Sequence, residues 1–271
     1  MKRHIFPTII ILFIFSACTE KIDLELNDSY ARLVVEATIT DRDDNHRIVL
    51  SKTASYFHND QSPMVDDAEV HISSGDYRWQ LLPHAPGQYI ASEKFAAQVG
   101  ETYHLEILYD GRRYRASSLM RPVAAIDSLS VRPHAWLPGH KELLVHFQEP
   151  VETEDFYMWK VYLNGENLTN SALRVRMAAD DLTNGQYLHY PFYTFRPDDG
   201  PLEAGDHIRV EMYSISEAYY LFLVAMRRNQ GATGGPFAGP PANIPSNIDN
   251  GALGFFLAAS VSEAELVIRG D

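Results

Sequence analysis

From residue 32 the chain alternates. Leu33, Val35, Ala37 and Ile39 are separated by Val34, Glu36 and Thr38, a period of two that predicts a half-buried strand over 32–40. Six more short strands are predicted at 47–52, 69–73, 78–82, 88–92, 103–109 and 113–120, divided by polar turn clusters. Asp110-Gly111 is the sharpest of these, because both residues accept the positive φ of a two-residue hairpin turn. Seven short strands with evenly spaced turns predict a Greek-key β-sandwich of immunoglobulin-like or transthyretin-like size over residues 31–121.

Past a linker at 121–127 the pattern becomes longer and less regular. A second β-rich domain is expected over 126–271, with strands at 129–132, 142–147, 156–163, 173–177, 187–195, 207–213, 253–259 and 265–268. One packed helix is expected near 215–229. Ser214 and Glu217 have capping-box spacing, residues 218–226 are continuously apolar, and Arg227 and Arg228 suit a helix C-terminus. Nine apolar residues are too few to span a bilayer, so the helix is expected to lie against a sheet. The segment 231–245 is dense in Gly and Pro and is expected to be an irregular loop.

The first residues read differently. Lys2 and Arg3 precede an apolar run over 9–15, then Ser16, Ala17 and Cys18, the order of a secretion signal covering residues 1–17. Ser16-Ala17-Cys18 resembles a bacterial lipobox, with Phe15 where Leu is usual. That makes Cys18 the lipid-attachment residue and residues 18–30 a tether. Several acyl chains buried at about 0.8 kcal/mol per methylene hold a protein on a membrane effectively permanently.

Composition narrows the rest. Cys18 is the only cysteine in 271 residues, which excludes a disulfide framework and thiolate zinc sites. A formal charge of −13, with no long run of Lys or Arg, argues against nucleic acid as a partner. No metal-ligand spacing, Walker loop, GxSxG elbow or GxGxxG fingerprint is present, and no cofactor is expected. Residues 41–45 start like a calcium loop but lack its glycine, replaced by His46, and its closing carboxylate, replaced by Lys52. Asp66-Asp67, Asp180-Asp181 and Asp198-Asp199 read as turn pairs. The tract 188–195 is too aromatic for a simple alternating strand, so Tyr190, Phe192, Tyr193 and Phe195 are candidate ligand-stacking residues.

An ordered series of segments carries a family resemblance. It runs Leu33-Val34-Val35-Glu36-Ala37-Thr38-Ile39-Thr40-Asp41, Ile48-Val49-Leu50-Ser51-Lys52-Thr53, Asp67-Ala68-Glu69-Val70-His71-Ile72, Gly87-Gln88-Tyr89 and Gly100-Glu101-Thr102-Tyr103-His104-Leu105, then Pro122-Val123-Ala124-Ala125-Ile126-Asp127-Ser128-Leu129. It closes on residues 241–256, of which Asn250-Gly251-Ala252-Leu253-Gly254-Phe255-Phe256 is the end. Together with Cys18 this resembles the DUF4249 lipoproteins of Bacteroidetes. The resemblance implies an outer-membrane, surface-exposed, non-catalytic accessory protein beside a TonB-dependent receptor, and supplies no active-site residues. An adhesin or envelope-structural module is the alternative, with a glycan-acting enzyme behind both. Asp127-Ser128-Leu129 is similar to the motif that such bacteria O-glycosylate, which makes Ser128 a candidate acceptor.

Overall fold

The computed structural model describes residues 31–53, 62–151, 153–171, 173–180, 183–231 and 243–270. The expected signal over 1–17, Cys18, the tether over 18–30 and most of the 231–245 loop lie outside the described residues.

The alternation at the start of the chain becomes β1 (Leu33–Thr40), β2 (Arg47–Lys52), β3 (Glu69–Ser74), β4 (Tyr77–Ala85), β5 (Gln88–Ala91), β6 (Thr102–Tyr109) and β7 (Arg112–Leu119). Asp110 and Gly111 both take positive φ, 51° and 67°, in the two-residue turn between β6 and β7. The region beyond adds β8 (Ile126–Pro133), β9 (Lys141–Gln148), β10 (Phe156–Leu163), β11 (Glu166–Asn167), β12 (Arg176–Ala179), β13 (Tyr187–Thr194), β14 (His207–Ile215), the helix α1 (Glu217–Gly231), β15 (Leu253–Ala259) and β16 (Val261–Val267).

The protein is mostly β with a single α-helix among the described residues, its sheets forming a sandwich-like, nearly barrel-like arrangement. The first sheet has the order β15-β1-β2-β5-β4-β3-β6-β7. Its eighth strand comes from the far end of the sequence: β15 pairs parallel with β1 from Val34↔Leu253 to Thr40↔Ala259. The other flank of β15 reaches β7, where the Ala258 amide donates to Ser118 Oγ at 2.9 Å. Just beyond, Ser260 Oγ donates to the Arg121 carbonyl at 2.6 Å. The sheet thus curls almost onto itself, and β15 covers the β1 edge that seven strands alone would leave unpaired. Alternate inward side chains, among them Val35, Ile39, Leu50, Ile72, Leu105, Ile107 and Phe256, fill the interior.

Two further sheets pack face to face, one with the order β11-β10-β14-β16 plus β12 on β10, the other β13-β9-β8. Leu143, Val145 and Phe147 of β9 meet Tyr157, Trp159 and Val161 of β10 and Val210 and Met212 of β14. The opposite face of β10, carrying Phe156 and Met158, packs with Leu223 of α1 and Leu257 of β15. β10 is therefore buried on both faces, which is why its sequence is a nearly unbroken apolar run.

The helix starts two residues later than the Ser214–Glu217 spacing predicts. Ser216 Oγ accepts the Tyr219 amide at 3.2 Å, the geometry of an N-cap, whereas Ser214 is buried in β14 with an unpartnered hydroxyl. The strand expected at 173–177 is Arg176–Ala179, because the amides of Arg174 and Val175 close a turn onto the Ser171 carbonyl. The last strand starts four residues earlier than expected, since pairing with β14 runs from Tyr213↔Val261 to His207↔Val267.

One ionic cluster ties the start of the chain to its end. Arg42, between β1 and β2, reaches Glu211 Oε1 at 2.7 Å and Glu263 Oε2 at 2.6 Å. Arg209 bonds Glu211 Oε1 at 2.5 Å, and the Tyr213 and Tyr162 hydroxyls donate to Oε2 at 2.7 Å and 3.1 Å. Burial pushes the Glu211 carboxyl upward, but the Tyr213, Arg42 and Arg209 contacts outweigh it and hold the group at about 2.

Candidate functional site

Three carboxylates converge at one end of the two packed sheets. Glu149 lies just after β9, Asp155 just before β10 and Asp180 just after β12. The antiparallel register Phe156↔Ala179 carries the two aspartates side by side, and the Asp180 amide donates to the Asp155 carbonyl at 3.1 Å. Glu149 arrives from the opposing sheet, its amide bonded to the Gln186 carbonyl at 2.9 Å. One carboxylate oxygen from each residue lies within 4.8 Å of the others. The residues are 1%, 3% and 3% exposed, so the cluster is held out of water.

Its partners are few. Tyr157 donates its hydroxyl to Glu149 Oε1 at 2.8 Å, and Thr153 donates to Asp155 Oδ2 at 2.5 Å. Arg121 donates to the Glu154 carbonyl at 2.6 Å and stands 3.9 Å from Asp155 Oδ1. Glu149 Oε2 and Asp180 Oδ2 are buried and have no hydrogen-bond partner among the described residues. Burial is the main reason that the Glu149 carboxyl rises to about 7; the Tyr157 bond opposes the rise, and Asp155 and Asp180 add to it. The Tyr157 hydroxyl is pushed up in turn by burial and by Glu149.

A cavity of about 60 Å³ adjoins the cluster, its lining including Glu149, Asp180, Phe147, Tyr157, Trp159 and Tyr190. Trp159 is 1% exposed and its Nε1–H is unpartnered. Paired carboxylates beside aromatic walls invite comparison with a glycosidase, whose carboxyls stand about 5–10 Å apart across an open cleft. Small-molecule sites occupy roughly 300–1,000 Å³, and about 60 Å³ holds roughly two waters. That space is too small for a sugar ring and matches a cation or ordered water.

The aromatic tract divides at this cavity. Tyr190 is 38% exposed and stacks on Trp159 at 5.7 Å. Phe192, Tyr193 and Phe195 are buried. The pairing of β13 with β9 shifts register between Pro191 and Tyr193, a bulge that turns Phe192 and Tyr193 inward together and accounts for the unusual density of rings. The Tyr193 hydroxyl is spent on Asp199 at 2.9 Å and receives Arg174 at 2.9 Å, so it anchors a loop within the fold.

Ser128 sits exposed on β8, beside the irregularity in its pairing with β9. Two of the scattered histidines meet: the register His189↔His146 brings the two Nδ1 atoms to 2.7 Å, and Ser130 Oγ lies 2.7 Å from His146 Nε2. The carboxylate cluster forms no motif in the sequence, because its members are 6 and 25 positions apart and meet only through strand register. The available signal is the acidic residues at strand ends, at 149–155 between β9 and β10 and at 180–181 after β12.

Fold and site together describe a β-rich protein with three buried carboxylates at one end of two packed sheets. The chain matches the family described as Domain of unknown function (DUF4249) over residues 19–265, and it belongs to that family. A search of curated proteins found no match.

Proposed function

We propose that this protein is a non-catalytic lipoprotein of a Bacteroidetes outer membrane, anchored through Cys18, that displays its β-rich body outward and assists ligand capture by a TonB-dependent transporter. The observation that carries the reading is the order Lys2-Arg3, an apolar run over 9–15, Ser16-Ala17 and then the chain's only cysteine. Residues 18–30 then separate that cysteine from a body whose compact unit begins at Ala31. The small size of the cavity beside the carboxylates supports a binding rather than a catalytic role. A contact surface is offered by the hairpin between β8 and β9, where Trp136 is 87% exposed next to a half-exposed Leu137. An aromatic side chain held at a turn tip is the type of residue that anchors protein interfaces.

Two measurements test the reading. Cys18→Ala is expected to move the protein from the membrane to the soluble fraction; a variant that stays in the membrane refutes the anchor. Affinity purification of the tagged, lipid-anchored protein from detergent-solubilised outer membrane is expected to recover a TonB-dependent receptor. Recovery that is unaffected by Trp136→Ala removes the hairpin from the interface, and no receptor at all refutes the accessory role.

A further inference from the structure

We propose that Glu149, Asp155 and Asp180 form a binding site for a hard divalent cation, with calcium the ion that their chemistry fits best. Charge is the first argument. Three carboxylates crowd together, each almost fully buried, and among the described residues Arg121 stands 3.9 Å from one oxygen of Asp155. Like charges so close in a low-dielectric interior repel strongly. With Arg121 counted, the ionised cluster carries a charge of about −2, which one divalent ion neutralises.

The second argument is hydrogen-bond satisfaction, and it adds a group outside the cluster, Trp159. Glu149 Oε2, Asp180 Oδ2 and the Trp159 Nε1–H are all buried without a partner, in residues that line the same small cavity. Buried polar atoms in folded proteins are almost always satisfied, and three orphans around one space point to an occupant. It must offer positive charge to two oxygens and an acceptor to an indole N–H. A cation carrying a coordinated water does both: the ion takes the carboxylate oxygens and its water accepts from Trp159.

Size and donor type select among ions. Calcium binds oxygen at 2.3–2.6 Å, so ligands on opposite sides of it stand about 5 Å apart. Oxygens that lie within 4.8 Å of one another can therefore all touch one such ion. A space of about 60 Å³ admits roughly two waters, which with mono- or bidentate carboxylates meets the six to eight ligands of calcium. Magnesium demands a near-ideal octahedron and retains more of its water. The donors are all oxygen, the set of a hard ion rather than zinc or copper. Bound there, the ion would join the end of β9, the start of β10 and the end of β12, fastening the two packed sheets.

The test uses the purified protein after treatment with a chelator. Terbium replaces calcium in oxygen sites and emits when excited through a neighbouring aromatic ring, and Tyr157 and Trp159 flank this one. Titration is expected to give aromatic-sensitised emission that saturates at one terbium per chain and is displaced by calcium. Calcium at a hundredfold excess over its Kd is expected to raise the melting temperature by about 5–10 °C, with magnesium giving less. Glu149→Gln and Asp180→Asn are expected to lose both responses while keeping a native near-ultraviolet dichroism spectrum. If either variant fails to fold, the calcium content of the desalted wild-type protein decides alone, one ion per chain being expected. No sensitised emission and no calcium-dependent shift in the wild type would overturn the proposal, leaving a proton shared between the carboxyls. Full retention of both responses in folded Glu149→Gln would also overturn it.

Discussion

Glu211→Gln isolates the ionic cluster that joins the start of the chain to its end. The substitution keeps the shape of the side chain and removes its charge. Glu211 is 4% exposed at its side chain and binds Arg42, Arg209, Tyr213 and Tyr162, so the charge is fully engaged in the fold. Its carboxyl falls from an ordinary 4.5 to about 2, and each pH unit of such a change corresponds to 1.36 kcal/mol. The contribution is therefore roughly 3 kcal/mol, trimmed to about 2–3 kcal/mol because Arg42 and Glu263 are 40% and 36% exposed and water screens them. The sign follows from the direction: a depressed carboxyl stabilises the fold above its unfolded value near 4.5, and the stabilisation is lost as pH falls toward 2. Urea unfolding of wild type and variant at pH 7, 5, 3.5 and 2.5 is the assay. The difference should be about 2–3 kcal/mol at pH 7 and 5, shrink at 3.5 and nearly vanish at 2.5. Equal stability at pH 7, or a gap that persists unchanged to pH 2.5, would show that the cluster does not stabilise the fold through the Glu211 charge.

Two further outcomes test the frame around it. Gly254→Ala, in β15, puts a Cβ 1.9 Å from the Val35 carbonyl oxygen at a residue with φ of 93°, and should cost more than about 3 kcal/mol or abolish soluble expression; a variant of wild-type stability would mean that β15 does not lie against β1 as described. Ser216→Ala should cost about 1 kcal/mol in denaturant unfolding through loss of the cap, whereas Ser214→Ala, which removes a buried unpartnered hydroxyl, should cost under about 0.5 kcal/mol, and the reverse order would restore the capping-box register.

Local patterning carried the strands because each one buries a single face. The seven strands from Leu33 to Leu119 and the turn at Asp110-Gly111 were all readable from alternation and turn chemistry alone. What alternation does not encode is which strand lies beside which. β15 belongs to the first sheet although more than two hundred residues separate Gly254 from its partner Val35, and nothing in the sequence near β1 announces a parallel neighbour. Gly254 was visible as part of a distinctive closing segment, yet the reason for a glycine there emerges only when the two backbones are seen in contact. The aromatic tract misleads for the same kind of reason. A bulge at Pro191 places consecutive rings in the core, so a sequence that looks like a stacking platform is mostly packing, with Tyr190 as its exposed ring.

β15 also explains why one boundary near residue 121 describes the sequence better than the folded body. Phe256 and Ala258 enter the core of the first sheet, while Leu257 and Ala259 enter the core shared by β10, β14 and α1. A strand with both faces buried in different cores couples them, since sliding it by one residue would exchange its side chains between the two interiors. Arg42 and Glu211 fasten the same junction from the outside with charge, and Ser260 Oγ reaches back across it to the Arg121 carbonyl. Arg121 in turn extends its guanidinium to the Glu154 carbonyl and toward Asp155, so the joint between the two cores leads to the buried carboxylates. An ion held by those carboxylates would thus act on more than a local loop. It would stiffen the sheets on which the exposed Trp136 hairpin is mounted, because β9 carries both that hairpin at its start and Glu149 just past its end.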